Sequence, residues 1–237
     1  MSLTARDLDA ALWAAADEMR LVMSADVYKD YLLGLVFYKA LSDKILVEAY
    51  ELLNDEKPEG LEIAQKAYEE AGADSEVWFD LKAELEDRFG CAIHPRMTFS
   101  AFYQQINERT FMLDDLSQAF RDVEAASGGV YAGLFDDFDI QSKDLGKTPD
   151  KRNSMISAVI SKLATIDFSR YPEDALGDAY EYLISQFASE SGKKAGEFYT
   201  PQAVSTLIAR IVTYGQDTKY GFTVYDPTCG SGSLLLQ

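Results

Sequence analysis

The chain has 237 residues, enough for one large or two modest domains. A hydrophobic share of 47% with 26% charged residues excludes disorder, and the longest uncharged apolar run, Tyr31 to Tyr38, is too short to cross a bilayer. Forty acidic against 22 basic residues leave a net charge of −18, so the chain by itself opposes a DNA polyanion unless a partner supplies the grip.

Thr4, with Asp7 three residues on, caps a first helix in which Leu8, Leu12, Ala15, Met19 and Val22 recur on one face. Ser24 or Asp26 restarts a second helix through Tyr28, Leu32, Leu35 and Phe37–Tyr38. It is apolar nearly all round from Leu32 to Tyr38, which predicts a central position. Residues 54–60 read as a loop. Two amphipathic helices follow, Leu61–Ala71 and Val77–Phe89, each closed by a glycine, Gly72 and Gly90. In the second, Val77, Leu81, Leu85 and Phe89 form the apolar stripe, while Asp80, Glu84 and Asp87 face water.

Pro95 marks a connector, and Thr98 caps a helix carrying Phe99, Phe102, Tyr103 and Ile106. Asp114 opens another with Leu116, Phe120 and Val123, closed by Gly128–Gly129. Val130–Asp150 is the least regular stretch. Its Phe135-Asp136-Asp137-Phe138-Asp139 run lacks the glycine and distal glutamate of a calcium loop and reads as a turn with aromatic anchors. Asn153 opens a short helix with Ile156, Val159, Ile160 and Leu163 buried. Asp167–Pro172 is a break that divides the chain into domains 1–166 and 167–237. A helix over 173–189 carries Leu176, Tyr180, Leu183 and Phe187.

Ser189–Gly196 is a polar, glycine-punctuated loop: either plain surface, or a lid whose Lys193 and Lys194 meet phosphate. Thr200–Pro201 is a strong helix start, with threonine at the cap and proline in the first turn. Val204, Leu207, Ile208 and Ile211 bury that helix, and Gly215 ends it. Phe222–Tyr225 reads as a buried strand running into Asp226-Pro227-Thr228-Cys229-Gly230-Ser231-Gly232-Ser233 and an apolar helix start at Leu234. Strand, glycine turn and helix N-terminus make an anion- and nucleotide-binding corner, although a small-residue turn of this kind is also a plain connection. Cys91, Cys229 and the lone His94 are too few and too far apart for a zinc site.

Gly196-Glu197-Phe198-Tyr199-Thr200-Pro201 followed by Asp226-Pro227-Thr228-Cys229-Gly230-Ser231-Gly232 resembles the amino-methyltransferases of DNA restriction–modification systems, above all the type I modification subunit. Leu12 to Arg20 and Tyr28 to Lys44 are similar to the helical N-terminal domain of the same subunits. The resemblance implies a mainly α chain: a helical bundle, then the beginning of a Rossmann-like α/β methyltransferase domain. It implies S-adenosylmethionine (SAM) as cofactor, held by Glu197, Phe198, Tyr199, Thr200, Pro201, Gln202, Asp226, Gly230, Ser231, Gly232 and Ser233. Thr200 then serves as ligand, cap or both, and Asp226 engages the SAM ammonium or braces the turn; Phe198 and Tyr199 lie at the cofactor's edge or in the core.

The implied reaction is methyl transfer to N6 of adenine in double-stranded DNA, in the cytoplasm, beside a specificity subunit and an endonuclease subunit, with room for two modification subunits per complex. The family's Asn/Asp-Pro-Pro-Tyr/Phe catalytic loop is absent, because none of the six prolines are adjacent. The sequence therefore offers no catalytic residue and reads as a chain cut off within its catalytic domain, inactive alone. A rival reading is a non-catalytic helical module that docks a specificity subunit. A dinucleotide dehydrogenase is disfavoured, since Gly-x-Gly-x-x-Gly is missing.

Overall fold

The computed structural model describes residues 5–171, 175–190, 200, 202–215, 223–229 and 234–235. It divides into two compact units, Met1–Leu183 and Ile184–Gln237. The first is helical. α1 (Ala5–Arg20) leads into α2 (Ala25–Asn54), a 30-residue spine whose inner positions are buried almost all round. Then come α3 (Leu61–Ala73), α4 (Ser75–Phe89), α5 (Phe99–Glu108), α6 (Leu113–Ala126) and α7 (Pro149–Leu163), with short 3-10 turns at Pro95–Met97 and Phe168–Arg170. α8 (Ala175–Glu190) carries the boundary between the units, and α9 (Gln202–Thr213) lies in the second.

α2 is central, as its all-round apolar character predicts: α3, α4, α5, α7 and the 168–170 turn pack on it, while α1 packs chiefly on α7. Around Tyr38 gathers an aromatic cluster. The Phe120 ring stacks on Phe135 at 4.0 Å and meets Phe138 edge-on at 4.9 Å. The irregular 130–145 stretch is thus strapped to the helices by Phe135 and Phe138, both buried, as the turn reading expects. Tyrosine hydroxyls of the core find backbone partners: Tyr38 donates to the Met97 carbonyl at 2.6 Å and Tyr68 to that of Ile93 at 2.7 Å.

Several expectations shift. α1 ends at Arg20, so Val22 sits exposed in the turn rather than on the buried face. In α4 only Leu81 and Leu85 of the expected stripe are buried; Val77 is exposed, and Trp78 takes its place by meeting the Tyr68 ring at 5.5 Å. Gly72 is no cap, because α3 continues to Ala73. A Cβ there would lie 2.5 Å from Cγ of Pro95, so close packing demands the glycine.

α7 starts at Pro149, capped by Thr148, four residues before the expected Asn153. Asn153 instead staples the entry of α6: its Oδ1 accepts from the Leu113 amide at 2.8 Å and its Nδ2 donates to the Phe111 carbonyl at 3.1 Å.

α2 also buries a polar cluster that no periodicity reveals. Lys39 donates to Asp43 Oδ2 one turn on, with its ammonium 5.5 Å from the Phe99 ring centre. The same oxygen accepts the Phe168 amide at 3.2 Å from 125 residues away. Asp43 Oδ1 is buried without a hydrogen-bond partner among the described residues. Burial pushes the Asp43 carboxyl up to about 6 against the attraction of Lys39. Ser42 Oγ, next door, accepts the Phe99 amide at 2.8 Å and so fixes the start of α5.

Candidate cofactor site

The residues expected to hold a cofactor all fall in the second unit. Of these, Glu197, Phe198, Tyr199, Pro201, Gly230, Ser231, Gly232 and Ser233 lie outside the described residues, as do Lys193 and Lys194; of Gln202 only the backbone is described. What is described includes the helix start. α9 begins at Gln202, directly after Thr200–Pro201, where a threonine and a proline stabilise a helix start. A 12-residue helix directs its free N–H groups and the positive end of its dipole toward that start, which suits a carboxylate.

The strand end differs. Thr223–Asp226 carries no strand pairing among the described residues, and Tyr225 is 86% exposed rather than buried. A β-strand exists only through its neighbours' hydrogen bonds, so an aromatic and β-branched run without a described partner has no ladder to join. α9 differs for a related reason. Val204, Leu207, Ile208 and Ile211 are exposed, with Leu207 at 59%, although they form one apolar face as expected. Amphipathicity states which face seeks cover; it does not supply the cover.

Asp226 has a defined role in the turn. Its Oδ1 accepts the Thr228 amide at 2.9 Å and the Thr228 hydroxyl at 3.2 Å, closing an Asx turn around Pro227. The carboxylate thus braces the bend that leads to the glycines. Half-buried, it also brings negative charge there, suited to an ammonium. Helix N-terminus and carboxylate are together the chemistry that an amino-acid-bearing cofactor such as SAM needs at its methionine end.

Comparison with known proteins divides the chain earlier, between residues 163 and 171 rather than at Leu183. Residues 171–237 match the family described as N-6 DNA Methylase, and residues 8–163, well over half of the chain, match the family described as HsdM N-terminal domain. The chain belongs to the methylase subunits of type I restriction–modification systems. Among such subunits it is 33% identical to the type I restriction enzyme MpnII methylase subunit of Mycoplasma pneumoniae, over 95% of this chain and 42% of the relative. It is 27% identical to the MjaVII methylase subunit of Methanocaldococcus jannaschii, over 87% of this chain and 31% of the relative.

A solved type I restriction-modification system methyltransferase subunit from Streptococcus thermophilus has 50% identity and a TM-score of 0.91, covering 98% of this chain and 49% of that one. The chain therefore spans less than half the length of these type I relatives. The mainly α fold class agrees with them: an HsdM-type helical domain, then the start of a methyltransferase domain.

Proposed function

We propose that this chain forms the helical domain and the SAM-binding opening of a modification subunit that methylates N6 of adenine in double-stranded DNA. Its partners in this reading are a specificity subunit and an endonuclease subunit, in the cytoplasm. No helix among the described residues is long and apolar enough to cross a membrane. The observation that carries the reading is the placement of every expected cofactor residue, Glu197 to Ser233, inside the stretch that matches the N-6 DNA methylase family.

The cofactor supplies an electrophilic methyl group on a sulfonium. This chain's residues bind and orient it. Thr200 and the first turn of α9 receive the carboxylate, Asp226 receives the ammonium while holding the turn, and Gly230 and Gly232, lacking side chains, suit close approach of the remainder. Residues outside this chain must hold the target amine, since no Pro-Pro element occurs here. Target adenine has to leave the duplex stack before it reaches the methyl group.

A chimaera tests this. Residues 1–237 replace the matching half of the Streptococcus thermophilus subunit, assembled with that system's specificity subunit, and tritiated methyl incorporation into duplex DNA is measured. Labelling is expected, with loss in Gly230→Trp. Thr200→Val should weaken SAM binding about tenfold, the scale of one charge-assisted hydrogen bond. A folded chimaera that binds DNA but never labels it would defeat the proposal.

A further inference from the structure

A cavity of about 210 Å³ opens in the helical unit between α2, the 134–138 turn and α8. Its walls include Leu33, Gly34, Phe138 and Tyr180, and two carboxylates, Asp30 and Asp137, complete the lining. Neither carboxylate engages an ion pair among the described residues. Burial pushes the Asp30 carboxyl up, Asp137 and Asp26 add to the effect, and Lys29 opposes it. Two acids facing one partly dry space repel each other, and a cation placed between them relieves both. Tyr180 donates its hydroxyl to the Leu33 carbonyl at 2.5 Å, which ties this wall of the cavity to α2.

Gly34 decides the shape. Glycine in mid-helix destabilises relative to alanine, yet here it lies inside a 30-residue helix. A Cβ would stand 3.2 Å from Cδ2 of Phe138 and 3.6 Å from Cδ1 of Phe135, so the bare backbone lets that turn settle and leaves the space beside it. The result is a slot of about 210 Å³, apolar and aromatic along its walls and acidic in its polar lining. Cations on alkyl stems suit such walls: the stem lies on apolar surface, and the head meets carboxylates and ring faces.

We propose that this cavity is a binding site for a guanidinium or ammonium group carried on a short alkyl stem. Two sources offer that chemistry, an arginine side chain of a partner protein and a free polyamine. Calorimetric titration of the 237-residue chain at about 0.15 M salt, where diffuse attraction by the net charge is screened beyond about 8 Å, tests it. Probes are Nα-acetyl-arginine amide, agmatine, putrescine and neutral n-butanol.

The cationic probes should bind at one site and n-butanol should not. Asp30→Asn and Asp137→Asn should each weaken binding about tenfold, and Gly34→Ala should weaken it with the charge unchanged. Tighter binding of acetyl-arginine amide than of putrescine assigns the slot to a protein side chain; the opposite order assigns it to a polyamine. No binding by any cation, or equal binding in Gly34→Ala, overturns the proposal. Should Gly34→Ala fail to fold, the exposed position of Asp137 keeps Asp137→Asn decisive, and unchanged affinity there overturns it equally.

Discussion

Asp43 carries two obligations: it balances the buried charge of Lys39, and it receives the amide of Phe168. Asp43→Ala abandons both and leaves a buried cation, a loss expected at about 3–5 kcal/mol. Asp43→Asn keeps an acceptor for the Phe168 amide but also leaves Lys39 without its counter-charge, so it should lose most of the same stability and exceed the alanine variant by only about 1 kcal/mol. Thermal or urea melts of the two variants check this, and a loss below about 1 kcal/mol in the alanine variant would contradict the pairing. The acid dependence has a definite sign. The folded carboxyl is raised to about 6 from an ordinary 3.8, so the folded state binds the proton more tightly. Its contribution is full below pH 3.8 and is lost as pH rises through 6. The wild-type chain should therefore gain stability from pH 7 to pH 5 by more than Asp43→Asn does, since every other charge is common to both.

Among the elements, the 168–170 turn matters more than its length suggests. Phe168 is buried and its amide reaches Asp43, whereas Ile166 ends before both contacts. Residues 1–171 should melt cooperatively as an independent helical domain, and residues 1–166 should melt lower by about 2 kcal/mol, one buried phenylalanine's worth. Equal melting temperatures would remove Phe168 from the account. The helices themselves are legible wherever caps and periodicity agree, as at Thr98 and Gly90. Thr148–Pro149 carries the same start signal as Thr200–Pro201; the first caps and opens α7, and α9 begins at Gln202, directly after the second. Asn153 attracts the reading only because a cap residue also serves as a staple. Strand pairing at 223–226 and cover for α9 are illegible because they depend on partners rather than on local pattern. Of the residues expected at the cofactor, Thr200 precedes α9 and Asp226 closes the turn at Thr228, and the glycines lie outside the described residues. The slot beside Gly34 escapes sequence reading because Asp30 and Asp137 are far apart in the chain and meet only when the 134–138 turn lies on α2.

For the molecule as a whole, charge governs what it meets. A surplus of 18 negative charges repels phosphate at distances where no specific contact acts. In gel retardation at low salt, the chain alone should leave duplex DNA unshifted; a stable complex that dissolves steeply with added salt would show a basic surface that composition hides.

The long reach of α2's contacts sets a timetable for synthesis. Tyr31 waits for Asp139, Asp43 for Phe168 and Leu33 for Tyr180, across separations of 108, 125 and 147 residues. At about 5–20 residues per second, translation delivers the Phe168 partner roughly 6–25 s after Asp43 has been made. During that interval α2 stands on the ribosome without the part of its cover that α7 and the 168–170 turn supply. A nascent chain stalled near residue 130 should therefore be the form that chaperones hold and proteases cut, and one stalled with Tyr180 clear of the exit tunnel should be the first to escape both.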